Sequence, residues 1–133
     1  MSIDRFVPEG LELKTLLDEL RKLSWAAADV LMAYARGQEP PYGFPKTLTI
    51  EEGGQGPVSA ADMAVNELLI SGLKDNLAYK EWDILSEEMS KESNFNLAHL
   101  KKDWCWILDP LDGTKDFLQG SENYAVHIAL AHK

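Results

Sequence analysis

The sequence holds one cysteine, Cys105, so no disulfide can form within a chain, which suits a reducing compartment. That thiol stands between Trp104 and Trp106 in an apolar run. It reads as a packed core group rather than a nucleophile, because no histidine neighbours it and burial raises a thiol's pKa. Basic residues are scarce as well: 13 Lys and Arg stand against 22 Asp and Glu, for a net charge of −9. Binding to a nucleic-acid backbone needs clustered Lys and Arg, so that class of partner is not expected. No apolar run is long enough to span a bilayer. The opening Met1-Ser-Ile-Asp-Arg5 lacks the basic-then-apolar layout of a signal peptide, so a cytoplasmic protein is expected. No internal repeat or low-complexity tract interrupts the chain. What is present, 45% hydrophobic residues over 133 positions, suffices for one globular domain with a real core.

Leu11 to Arg36 has the spacing of a long helix. Leu13, Leu16, Leu17, Leu20, Leu23, Ala27, Val30, Leu31 and Tyr34 recur at intervals of three and four, and Gly37 is a natural stop. Residues 38–45, with three prolines, form a loop. Thr47 to Glu51 alternates like a strand, Glu52 to Gly56 reads as a turn or loop, and Val58 resumes extended structure. Ser59 is placed to cap a helix over Ala60 to Asn76, whose buried stripe would be Met63, Val65, Leu68, Leu69 and Leu73. Asp62 then falls in the first turn, where the helix macrodipole alone would account for a carboxylate. Trp82 to Ser86 is a short strand ending in Glu87-Glu88. Adjacent strand residues point to opposite sides, so at most one of those acids can face a site. Residues 89–103 form a polar loop, Trp104 to Leu108 a central buried strand, and Asp116 to Gly120 a short helical turn. Tyr124 to Ala131 is almost wholly apolar, as for a strand buried on both faces. Within it, His127 reads as a core or interface group rather than a base. The order α-β-β-α-β-β-β suits an α+β fold with helices packed on a mixed sheet.

The most informative segment is Trp104-Cys-Trp-Ile-Leu-Asp-Pro-Leu-Asp-Gly-Thr-Lys-Asp116. Pro110 lacks an N–H and biases Asp109 away from helix, so the strand is expected to end there. Asp112-Gly113 tolerates a tight turn with positive φ. Two carboxylates three apart on such a turn can converge on a hard cation such as Mg²⁺, held by one or two carboxylates with phosphate and water. The same residues could instead form an Asx-type turn whose acids only cap backbone N–H groups, the lesser of the two readings. An acidic protein that binds an anionic phosphate ester needs such a cation between them.

Taken in order, Pro57-Val-Ser-Ala-Ala-Asp62, then Leu85-Ser-Glu-Glu88, then Trp106-Ile-Leu-Asp-Pro-Leu-Asp-Gly-Thr-Lys-Asp-Phe117 resembles the inositol monophosphatase superfamily of Mg²⁺-dependent, lithium-sensitive phosphatases. Lys115-Asp116-Phe117 and Glu122 to Leu130 look most like the 3′(2′),5′-bisphosphate nucleotidases within it. The resemblance implies a layered α/β sandwich of the sugar-phosphatase type, with helices packed on a mixed, largely antiparallel sheet. Residues 1–133 would be its N-terminal, metal-binding half. It implies that Glu87, Asp109 and the Leu111 carbonyl hold one ion, and that Asp109 bridges to a second ion that Asp112 also binds. Thr114, paired with Asp62, would orient and deprotonate the attacking water. Glu87, Leu111, Asp112 and the Gly113 and Thr114 amides would surround the substrate phosphate. The implied substrate is a small phosphate ester of the adenosine bisphosphate type, with an inositol or sugar phosphate as the alternative; a homo-oligomer is compatible. Two departures stand out. Glu51-Glu-Gly-Gly54 occupies the place of a lysine usual in this family, and a W-D-x-A-type motif, whose Asp completes the second metal site, is not among these residues. The chain by itself is therefore expected to be a weak catalyst or a non-catalytic fragment that binds metal or phosphate, with a tendency to self-associate.

Overall fold

The computed structural model describes residues 7, 8, 10–46, 57–76, 82–87 and 101–132. The expected strand at Thr47 to Glu51, the turn at Glu52 to Gly56, Glu88 and most of the 89–103 loop lie outside the described residues. Helix α1 spans Leu13–Ala35 and α2 Pro57–Asn76. Strand β1 spans Asp83–Ser86, β2 Trp104–Asp112 and β3 Ala125–His132, with the short helix α3 at Thr114–Leu118 between the last two. The sheet order is β1-β2-β3, parallel between β1 and β2 and antiparallel between β2 and β3. The sheet is thus mixed, with β2 at its centre.

Helix α1 buries Leu16, Leu23, Ala27, Val30, Leu31, Ala33 and Tyr34, close to the expected stripe, while Leu17 is left 47% exposed. Its end is closed as a Schellman motif: Gly37 N–H donates to the Tyr34 carbonyl at 3.2 Å and Gln38 N–H to the Ala33 carbonyl at 2.8 Å. Lys14, Arg21 and Lys22 pair with Asp18 and Glu19 on the solvent side. Such exposed pairs contribute little to stability.

Helix α2 begins at Pro57, three residues before the expected start. Proline suits the first helical position because its fixed φ is already helical and its missing N–H has no partner there in any case. Val58 is therefore helical rather than extended, Ser59 lies inside the helix rather than capping it, and Asp62 sits in the second turn. Ala60, Ala61, Ala64, Val65, Leu69 and Leu73 form its buried face, whereas Met63 is 56% exposed. The alanines let α2 approach both α1 and the sheet closely.

Both long helices pack on one face of the sheet, which carries Trp106 and Leu108, fully buried, with Ile84, Val126, Ile128 and Leu130 packed around them. The opposite face carries Leu85, Cys105, Ile107, Asp109, His127 and Ala129. Among the described residues nothing covers it, and Ile107 is 42% exposed. Strand β3 accordingly alternates between exposed and half-buried positions instead of being buried on both sides. Its apolar look came from Ala125, Ala129 and Ala131, which are small enough to face solvent without much loss. Cys105 lies on this open face, half-buried, so it is not the core group expected.

Candidate active site

The site follows from the register of three strands. β1 and β2 run parallel with Ser86 beside Leu108, both turned into the core. One step further along β2, side-chain alternation turns Asp109 to the open face, and Glu87, the first residue past the end of β1 and already helical, lines the same hollow. Glu87 is exposed and Asp109 half-buried, and both line a cavity of about 310 Å³ that also includes Leu85, Ile107 and His127. Asp109 Oδ1 is buried and has no hydrogen-bond partner among the described residues. A buried carboxylate oxygen in that condition is costly unless something else pairs with it.

Asp112 reaches the same face by a different device. In a regular strand, residues three apart point to opposite faces. Here Asp109 pairs with His127 and Asp112 pairs with Ala125, so three steps along β2 match two along β3. This is a β-bulge, one residue extra on β2. Pro110 and Leu111 both turn inward and are buried, and Asp112 returns to the open side with Asp109. Pro110 cannot donate to the sheet ladder, which favours an irregularity at this point. The strand therefore does not stop at Asp109 as expected; it passes through the bulge and ends at Asp112.

Gly113 makes the turn into α3. Its φ is 91°, and a Cβ there would lie 2.5 Å from the Asn123 carbonyl oxygen, so no other residue fits without displacing backbone. Phe117 N–H donates to the Gly113 carbonyl at 2.9 Å, and the Phe117 ring meets Tyr124 edge-on with centroids 4.9 Å apart. α3 is thereby fixed between the bulge and β3. The Thr114 hydroxyl donates to the Leu111 carbonyl at 3.5 Å, a long contact that leaves the second lone pair of that carbonyl available. The Thr114–Asp62 pairing expected from the resemblance is not among the described hydrogen bonds. Asp62 itself is buried at 5% exposure on the face of α2 turned to the sheet and α3.

His127 differs most from its expected role. It is not a core group: its side chain is 57% exposed, and Nε2 lies 3.1 Å from Asp112 Oδ2. A signal for this was available, since Ala125, His127 and Ala129 alternate with Val126, Ile128 and Leu130, which is the pattern of a strand with one open face. Asp112 also lines an open cleft of about 460 Å³ with Gly113, Asp116, Glu122 and Asn123. The His127–Asp112 contact thus joins the two hollows. On the same face burial, reinforced by the charge of Asp83, pushes the Cys105 thiol up from its ordinary pKa, away from nucleophilic use.

The donor set is all oxygen where charge is needed: three carboxylates and one carbonyl. That suits Mg²⁺, which takes one or two protein carboxylates and keeps waters or phosphate oxygens for the rest. Asp109 Oδ1, buried and unpartnered among the described residues, is a place where such an ion fits. Among those same residues, no three His, Cys, Asp or Glu side chains are gathered closely enough to hold an ion unaided. Glu87 and Asp109 share one hollow, and Asp112 stands beside it through His127.

Comparison with known proteins gives a consistent result. The chain is 39% identical over 89 residues to a 3′-phosphoadenosine 5′-phosphate phosphatase of Mycobacterium bovis, a match covering 66% of this chain and 28% of that protein. It is 31% identical over 117 residues to the 3′(2′),5′-bisphosphate nucleotidase CysQ of Shigella flexneri, covering 86% of this chain and 42% of the other. The chain thus spans less than half the length of these relatives. Among solved structures, inositol monophosphatase II of Staphylococcus aureus superposes with a TM-score of 0.61 at 20% identity, over 88% of this chain and 37% of that one. The inositol monophosphatase of Anabaena gives 0.59 at 22% identity, over 90% and 34%. At such identities these two establish the fold alone. The model of the inositol monophosphatase family matches residues 12–133, nearly the whole chain, and on that match the chain belongs to the inositol monophosphatase family.

Proposed function

We propose that this chain is the metal-binding half of a Mg²⁺-dependent phosphate monoesterase. Its preferred substrate would be 3′-phosphoadenosine 5′-phosphate or the corresponding phosphosulfate, from which it would remove the 3′-phosphate. The observation that carries this reading is the hollow shared by Glu87 and Asp109, beside which the β-bulge sets Asp112, bonded to His127 of the same hollow. The names of the relatives, a 3′-phosphoadenosine 5′-phosphate phosphatase and a bisphosphate nucleotidase, favour the nucleotide over an inositol phosphate.

Phosphate monoesters hydrolyse extremely slowly unaided, and their transition state spreads negative charge over the non-bridging oxygens, so catalysis is mostly positioning and charge stabilisation. Bound Mg²⁺ would supply Lewis-acid stabilisation of that charge and a more acidic water. Glu87, Asp109 and the Leu111 carbonyl would hold one ion, and Asp109 with Asp112 a second. Thr114 would orient the attacking water and Asp62 would take its proton through the hydroxyl. The Gly113 and Thr114 amides would donate to the phosphate oxygens. With α3 only five residues long, those local N–H groups matter more than any helix dipole.

A second reading, a chain that binds cation or phosphate without turnover, is favoured by the absence of a three-acid cluster among the described residues. One experiment separates the two. Phosphate release from 3′-phosphoadenosine 5′-phosphate is followed with Mg²⁺ and with chelator, for the 133-residue chain and for any longer protein that carries it. Magnesium-dependent turnover that Asp109→Asn abolishes supports the enzyme. Cation binding with no turnover in either protein supports the second reading, and inositol monophosphate hydrolysed in preference to the nucleotide sinks the substrate assignment.

A further inference from the structure

His127 faces Asp109 across the antiparallel pair, yet its ring bonds to Asp112. The bulge is what permits this. By carrying Asp112 back to the open face one ladder step short of the regular register, it brings Oδ2 within 3.1 Å of Nε2. Packing does not account for an imidazole here, because the side chain is 57% exposed between two alanines of the same face, Ala125 and Ala129. Nor is Asp112 held by burial: its side chain is 63% exposed, so an isolated carboxylate at that position would sample several rotamers.

We propose that His127 is the positioning residue for Asp112. It donates its Nε2 proton to Oδ2, fixes the rotamer of the carboxylate, and leaves Oδ1 turned toward a divalent cation. The inference rests on the reading of Asp112 as a cation ligand. Metal-binding carboxylates are commonly held by such partners, and loss of one typically costs 10- to 100-fold in metal affinity. The geometry also names the specific chemistry. One N–H donor at the reach of Nε2 is required, while the aromatic ring and its charge are not.

The test is direct cation binding, read by Mn²⁺ electron paramagnetic resonance on the 133-residue chain and its variants, with thermal melts to verify folding. His127→Ala should weaken Mn²⁺ binding about 10- to 100-fold. His127→Gln, whose amide N–H can reach the same oxygen, should recover most of that loss. In the Asp112→Asn background, His127→Ala should add little, since two groups acting on one ligand are not additive. Unchanged affinity in His127→Ala, with Asp112→Asn weakened, overturns the positioning role and leaves the cation site standing. Equal losses in His127→Ala and His127→Gln would make the imidazole itself a ligand and also overturn it. Unchanged affinity in Asp112→Asn, or no binding by the unmutated chain at millimolar Mn²⁺, sinks the underlying reading instead.

Discussion

Replacing Gly113 with alanine should disrupt fold and site together. Two costs add. The residue has φ 91°, and holding an L-residue there costs about 1–2 kcal/mol. Its new Cβ would stand 2.5 Å from the Asn123 carbonyl and 3.2 Å from Tyr124 Cα, both backbone atoms. Relieving such an overlap costs about 1–3 kcal/mol more, so the sum is about 2–5 kcal/mol. Gly120→Ala is the natural control: its φ is 77°, but nothing lies within 4 Å of the added Cβ, so only the backbone cost applies. Urea unfolding of the parent and both variants gives the comparison, with an unchanged slope showing that stability has changed and not the compactness of either state. The smaller entropy of the unfolded chain that alanine brings is common to both variants and cancels between them. Gly113→Ala should also weaken Mn²⁺ binding, since Gly113 ties Asp112 to Thr114, while Gly120→Ala should leave it alone. A Gly113→Ala variant no less stable than Gly120→Ala would refute the claimed contact.

Asp109→Asn should abolish cation binding while leaving the metal-free chain folded and no less stable, because the oxygen it alters is buried and has no partner among the described residues; melts with and without Mg²⁺ read both. Trp106→Ala should cost about 3–5 kcal/mol by opening a cavity in the centre of the core, against a near-zero effect of Trp25→Ala on the surface, both read by urea midpoints. The raised pKa of Cys105 means the folded chain holds the thiol proton more tightly than the unfolded one. Its stabilising contribution is therefore complete below the ordinary thiol value, about 8.5, and is lost as pH rises through the elevated folded value; Cys105→Ala should lose less stability than the parent above about pH 9.

Much of the architecture was legible because it rests on local patterning. Helix α1, the central β2, the α3 turn and β3 follow from periodicity and from Gly37, Pro110 and Gly113. What escaped depends on partners distant in sequence. The bulge exists only in the pairing of β2 with β3, so an isolated reading of Asp109-Pro110 ends the strand there. The bond from His127 to Asp112 depends on that same register. The start of α2 lies earlier than the Ser59 cap suggests, because proline is a good first helical residue. The all-apolar look of β3 hid the difference between alanine and branched residues: Val126, Ile128 and Leu130 face the core while the alanines face outward. The candidate site acids were picked out by their family motif. Their shared face was not, since a spacing of three in a strand argues against it until the bulge is seen.

The cation site itself is best tested by anomalous diffraction from crystals of the chain grown with Mn²⁺. The register of β1 with β2 and the bulge before Asp112 predict an anomalous peak between Glu87 and Asp109, with oxygens of both at about 2 Å and Asp112 facing the same ion or its neighbour. A peak elsewhere on the chain, or Glu87 turned to solvent with Asp109 unliganded in the presence of saturating Mn²⁺, would contradict it.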